Sequence, residues 1–219
     1  MAERLNEYIR SPTLAQVFPG FSLRFLLLNH QVAVRIMNLS NKTNRTSGPG
    51  VETNMEITLK NIKYSAFASQ ETQCFEAAVY VDGKKMGTAS NQGFGGPTDI
   101  HPQSLRDLLQ KEADKLPDEV SDDLIDKSTG KPFVYRPDAE SIVDGLLYDH
   151  LVEKDLTRDL KKRLVGIRDG KVVRTQVLKK EHLDAYLAKT TLKSDMKVDV
   201  VLNLLPIKEA LALYKAAAQ

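Results

Sequence analysis

Residues 91–102 read NQGFGGPTDIHP, and the three glycines there are the residues whose spacing most resembles chemistry. Gly93, Gly95 and Gly96 lack the Cβ that would keep backbone N–H groups from converging on a phosphate, with Asn91 as a side-chain donor beside them. A helix beginning soon after would add its positive end. Three features count against a phosphate cradle. The glycines do not fit G-x-x-x-x-G-K-[ST], no Lys or Arg lies between Lys85 and Arg106, and the strand, loop and helix of a dinucleotide fingerprint are incomplete. A corner is the better expectation, with one or more of these glycines at positive φ and Phe94 packed on the sheet or the next helix. STGKP at 128–132 is a weaker match, because Pro132 stands where a magnesium-binding hydroxyl is needed.

Nucleophilic chemistry would need the only cysteine, Cys74, paired with a base such as His101. Cys74 adjoins Phe75 in an expected strand, where a small thiol normally packs in the core. His150 falls on the apolar stripe of an expected helix and His182 in a first helical turn, and neither H-x-x-x-H nor H-E-x-x-H occurs. The carboxylates Asp118, Glu119, Asp122, Asp123 and Asp126 lack the D-x-[DN]-x-[DN]-G order of a calcium loop. No metal and no cofactor is expected. Residues 161–180 hold eight Lys/Arg and one Asp. Arg163, Arg168, Lys171 and Arg174 could contact nucleic-acid phosphates there, although the segment contains no aromatic residue for base stacking. Residues 107–159 carry 15 acids against seven bases, so complementarity within the chain or between subunits is an equal expectation.

The elements that must position these groups are legible from periodicity. MEITLKNIKY alternates at Ile57 and Leu59, and Phe75, Ala77, Val79 and Val81 share one face of a second strand. Asp82-Gly83 tolerates the positive φ of a tight hairpin, so a three-stranded antiparallel meander is expected. QSLRDLLQKEADKL reads as a helix with Leu105, Leu108 and Leu109 inward. Residues 117–137 hold Pro117, Gly130, Pro132 and Pro137 among many acids and read as a long, mobile surface loop. Apolar residues at helical spacing from Ala139 through Leu160 give the clearest helix. RLVGIRDGKVVRTQVL reads as a second hairpin turning at Asp169-Gly170, followed by a helix at KKEHLDAYLAK, a buried strand in VDVVLNLL and a last helix opened by Pro206. Early strands and late helices without β-α-β alternation make the class α+β rather than a doubly wound nucleotide fold.

The chain has 219 residues, 42% hydrophobic and 27% charged, close to ordinary globular averages, and its longest early apolar run is too short and polar to span a membrane. A lone cysteine excludes an internal disulfide framework and fits a reducing compartment. The first quarter departs from the rest. Residues 1–54 contain six Lys/Arg and three Asp/Glu, with no acid between Glu7 and Glu52, whereas 55–219 contain 25 and 26. A targeting-like extension is one explanation. The favoured one is translation from Met55, since codons for Gly50-Val51 can hold a purine-rich ribosome-binding sequence upstream of it. One α+β domain over 55–219 is expected.

MEITLKNIK, FASQETQCFEAAVYVDGKK, NQGFGG and VDVVLNLLPIKEALALY resemble a family of small, uncharacterised proteins carried by bacteriophages and prophages, over most of 55–219. The resemblance transfers no activity or site residue. It implies a phage-borne accessory protein in the cytoplasm of a bacterial host. A non-enzymatic binder of a host macromolecule, a host protein first, is the leading expectation. A nucleic-acid or nucleotide binder using 161–180 and the glycine loop is the alternative, and a small enzyme around Cys74 and His101 the third. Oligomeric state is open.

Overall fold

A computed structural model of the chain describes residues 55–217. Residues 1–54, expected to be an extension or untranslated, lie outside the described residues. The described chain forms two compact units, residues 55–149 and 150–217.

The first unit is built on a four-stranded antiparallel sheet in the order β1 (Ile57–Tyr64), β2 (Phe75–Val81), β3 (Lys84–Asn91), β4 (Asp99–His101). β1 pairs β2 with Ile57 opposite Val81 and Leu59 opposite Val79. Phe75, Ala77, Val79 and Val81 are all buried, which places the core face as the alternation requires. Asp82 and Gly83 adopt φ of 48° and 76°, the tight hairpin turn in which both central residues need positive φ. The meander gains a fourth strand because Ile100, within the glycine-rich stretch itself, pairs opposite Ala89 and is buried. Helix α1 (Gln103–Ala113) follows, burying Leu105, Leu109 and Ala113 one turn apart, while Leu108 stays half-buried.

The mobile loop expected at 117–137 is a hairpin instead, with β5 (Glu119–Ile125) antiparallel to β6 (Pro132–Tyr135). Its turn is held by Asp126. The N–H of Gly130 donates to the Asp126 carbonyl at 2.8 Å, and the N–H and hydroxyl of Ser128 donate to its carboxylate at 2.8 and 2.6 Å. These Ser128 hydrogen bonds hold the Asp126 carboxyl below the usual range. STGKP is therefore turn chemistry, with Gly130 at φ 65°. The prolines and acids of this segment mask Val120, Phe133 and Val134, whose β-propensity prevails.

Helix α2 (Ala139–Leu160) contributes its first half to this unit and its second half to the other. His150 lies on the opposite side of the helix from Val152, two residues on, and is exposed rather than part of the apolar stripe.

In the second unit, β7 (Val165–Arg168) is central, paired with β8 (Lys171–Arg174) and with the two-residue β9 (Val200–Val201). The β7–β8 turn uses Asp169 and Gly170 at φ 49° and 71°, as the first hairpin does. Helices α3 (Lys180–Leu187), α4 (Leu192–Met196) and α5 (Ile207–Ala217) complete it, with Leu164, Val173, Leu183 and Met196 in one buried cluster. The strand expected across VDVVLNLL stops after Val201 because Leu202–Leu204 form a 3-10 turn. There the Asn203 side chain donates to the carbonyls of Leu160 and Arg163 at 3.0 and 2.8 Å and accepts the N–H of Val165 at 2.7 Å. The chain is α+β. No helix among the described residues is long and apolar enough to cross a membrane.

Candidate functional site

The glycine-rich stretch connects β3 to β4, and the amides of Gly93 and Gly95 point inward. Gly93 and Gly95 adopt φ of 89° and 86°. The Gly93 N–H donates to Asn91 Oδ1 at 2.8 Å and the Gly95 N–H to Thr72 Oγ1 at 3.2 Å. Thr72 itself donates to Asn91 Oδ1 at 2.7 Å, and Asn91 Nδ2 donates to the Gly96 carbonyl at 2.9 Å. The Gly93 carbonyl in turn accepts from the N–H groups of Gln70, Glu71 and Thr72 at 3.0, 3.0 and 3.4 Å. Asn91 is thus the clamp of a corner, and two of the amides that a phosphate would need, those of Gly93 and Gly95, already have partners. A Cβ on Gly95 would meet Glu71 Oε2 at 2.2 Å, so the nearest ionised group to this glycine is a carboxylate, the wrong sign for an anion. Phe94 does not pack as expected. It is 61% exposed, because the left-handed residues on either side direct it outward.

Behind the corner, Thr98 ties the loop to α2. Its N–H donates to Glu140 Oε2 at 2.9 Å and its hydroxyl to Asp144 Oδ1 at 3.1 Å, while Arg106 of α1 pairs with Glu140 at 2.6 Å. Burial pushes the Asp144 carboxyl up to about 7, aided by the Glu140 and Asp138 charges and opposed by the Thr98 hydrogen bond. A carboxyl whose folded pKa is raised stabilises the fold fully below its unfolded pKa and loses that contribution as pH rises through the folded one. Stability of the protein is therefore expected to fall between pH 4 and 7 by up to about 1.4 kcal/mol per pH unit from this group. Asp144→Asn keeps an acceptor for Thr98 and should flatten the difference. Urea unfolding of both proteins across that range checks it, and parallel pH profiles would refute the assignment.

Cys74 and His101 are not brought together. Phe75, next to Cys74, pairs opposite Asn91, whereas His101 pairs opposite Thr88 two strands away from β2. That register separates them by at least about 10 Å along the strands and about 10 Å across them. Cys74 is half-buried with its N–H donating to Ser69 Oγ at 2.9 Å, and no thiol–imidazole pair forms. Among the described residues no group of three or more His, Cys, Asp or Glu gathers to hold a metal ion.

Three of the four basic side chains singled out in 161–180 are engaged within the fold. Arg163 donates to the Thr175 carbonyl at 2.9 Å and lies 3.4 Å from Asp159, and Arg174 pairs with the same carboxylate. Arg168 caps the end of α4 by donating to the carbonyls of Lys197 and Met196 at 2.7 and 2.5 Å. Lys171 alone is exposed without such a partner. These three arginines are thus held by contacts within the second unit.

The surface that sequence patterning missed is β5–β6. Val120 and Val134 pair across it at 59% and 53% exposure, and Ile125 and Phe133 are exposed too. Its signal was the run PFVY opposite a Val-containing segment across a turn centred on Gly130. No protein family matches the chain, and neither a curated protein nor a solved structure matches it.

Proposed function

We propose that this chain is a non-enzymatic accessory protein that binds a protein of its bacterial host through the β5–β6 hairpin, in keeping with its resemblance to small phage-borne proteins. The observation that carries this is the hairpin itself. Its two strands form a sheet of their own, with apolar side chains exposed. A two-stranded hairpin is marginal in water, and both of its strands are edges whose free N–H and C=O groups can accept another strand. Residues 118–126 supply five carboxylates and no base, so the partner that fits best is an extended segment both apolar and basic, added as a further strand. Separation of Cys74 from His101 and closure of the glycine corner support a binding role over catalysis.

The test is affinity purification from bacterial lysate with the natural chain and with Phe133→Ser/Val134→Ser. Both positions are exposed, so the variant should fold normally. The expected result is a partner recovered by the natural chain and lost by the variant. Equal recovery by both, or no recovery by either, contradicts the proposal.

A further inference from the structure

The second half of α2 presents a row of basic side chains, most of which no ion pair engages. His150, Lys154 and Arg158 follow one another at four-residue steps, about 6 Å apart along the helix, and Lys162 continues the row into the closing turn. With Thr157 and Lys161 they line one open depression in which Glu153 is the single acid. Lys154, Lys161 and Lys162 are exposed, and no described residue forms an ion pair with any of them. Arg158 pairs with Asp155 at 3.0 Å yet is 60% exposed. Lys161 and Lys162 also complement the negative end of the helix, but Lys154 lies upstream of the last turn, where that effect has faded.

We propose that this row contacts the phosphate backbone of a nucleic-acid duplex. Its step is comparable to the separation of neighbouring phosphates on one strand, and Lys154, Lys161 and Lys162 have no ion-pair partner among the described residues, unlike Arg163 and Arg174 of the hairpin. The lining contains no aromatic side chain, so the stacking platform of a single-strand binder is missing. No large apolar side chain is exposed between residues 150 and 162, so the anchor an amphipathic helix needs on a lipid surface is missing as well. Contacts of this kind are independent of base sequence and weaken with salt as counterions are released.

Fluorescence anisotropy with a labelled duplex of random sequence tests this on the full chain. The natural chain should bind at about 50 mM salt and lose most of that affinity by about 200 mM. Lys154→Gln/Lys161→Gln/Lys162→Gln should weaken binding roughly tenfold or more at low salt and reduce the log–log salt slope by about 0.9 per contact removed. Lys84→Gln/Lys85→Gln/Lys111→Gln removes the same charge from exposed positions elsewhere and should change affinity by no more than about twofold. Thermal melts establish that both variants fold, and Lys154→Glu alone should act in the same direction as the first. Failure of the natural chain to bind duplex at low salt overturns the proposal. So does equal loss in the two triple variants, or binding to phosphatidylglycerol vesicles without binding to duplex.

Discussion

Gly93→Ala is expected to destabilise the protein by about 3 kcal/mol or more, whereas Gly96→Ala, three residues away, should stay within about 0.5 kcal/mol of the natural chain. At φ 89° any side chain is strained, and a Cβ on Gly93 would sit 2.2 Å from the Ala68 carbonyl oxygen and 3.0 Å from Cys74 Cβ. The first is backbone and cannot swing aside. Moving Gly93 would also displace the carbonyl that accepts from Gln70, Glu71 and Thr72. Gly96 has nothing within 4 Å of the corresponding position. Gly95→Ala should fall between them, since its clash is with the Glu71 carboxylate, the far end of a flexible side chain. Urea unfolding of the three variants checks the order, and equal effects at Gly93 and Gly96 would mean that the corner is not built as described.

The second large effect is expected at Asp159, a carboxylate only 9% exposed. It pairs with Arg174, whose side chain is 16% exposed, and with Arg163 on its other oxygen. Asp159→Ala leaves the Arg174 guanidinium buried without its ion-pair partner, with only the more distant Asp155 carboxylate nearby, a loss of about 3 kcal/mol. Replacing the pair by apolar residues, Asp159→Leu with Arg174→Met, removes both desolvation penalties and should recover most of that stability. Calorimetric melting of the single and double variants tests the point. A double variant as unstable as Asp159→Ala would show that the hydrogen bonds of the pair, rather than the uncompensated charge, carry the effect.

What could be read in advance was local. Asp82-Gly83 and Asp169-Gly170 specify their hairpins because the two residues of the turn carry the positive φ themselves. Leu105 and Leu109 mark the inward face of α1 by spacing alone, whereas Leu108, expected beside them, is half-buried. What escaped depended on contacts distant in sequence. Gly87 drew no notice, yet a Cβ there would lie 1.9 Å from the His101 carbonyl oxygen, because β4 returns against a bulge in β3. The partners of Arg168 lie 28 and 29 residues away, so no window of sequence could show that this cation is already engaged. Residues 117–137 failed for a different reason. Their acids, prolines and glycine resemble a surface loop, and a hairpin whose Val120, Ile125, Phe133 and Val134 are exposed carries the same composition as one.

Exposure of that hairpin is the centre of the functional account, and hydrogen exchange measures it directly. In the protein alone, amides of residues 119–135 should exchange far faster than those of Val79 or Val81 in the core sheet, as a two-stranded edge allows. In a complex recovered from bacterial lysate, the same amides should become strongly protected as a third strand pairs with them. Protection elsewhere in the chain, with residues 119–135 exchanging as before, would contradict the account.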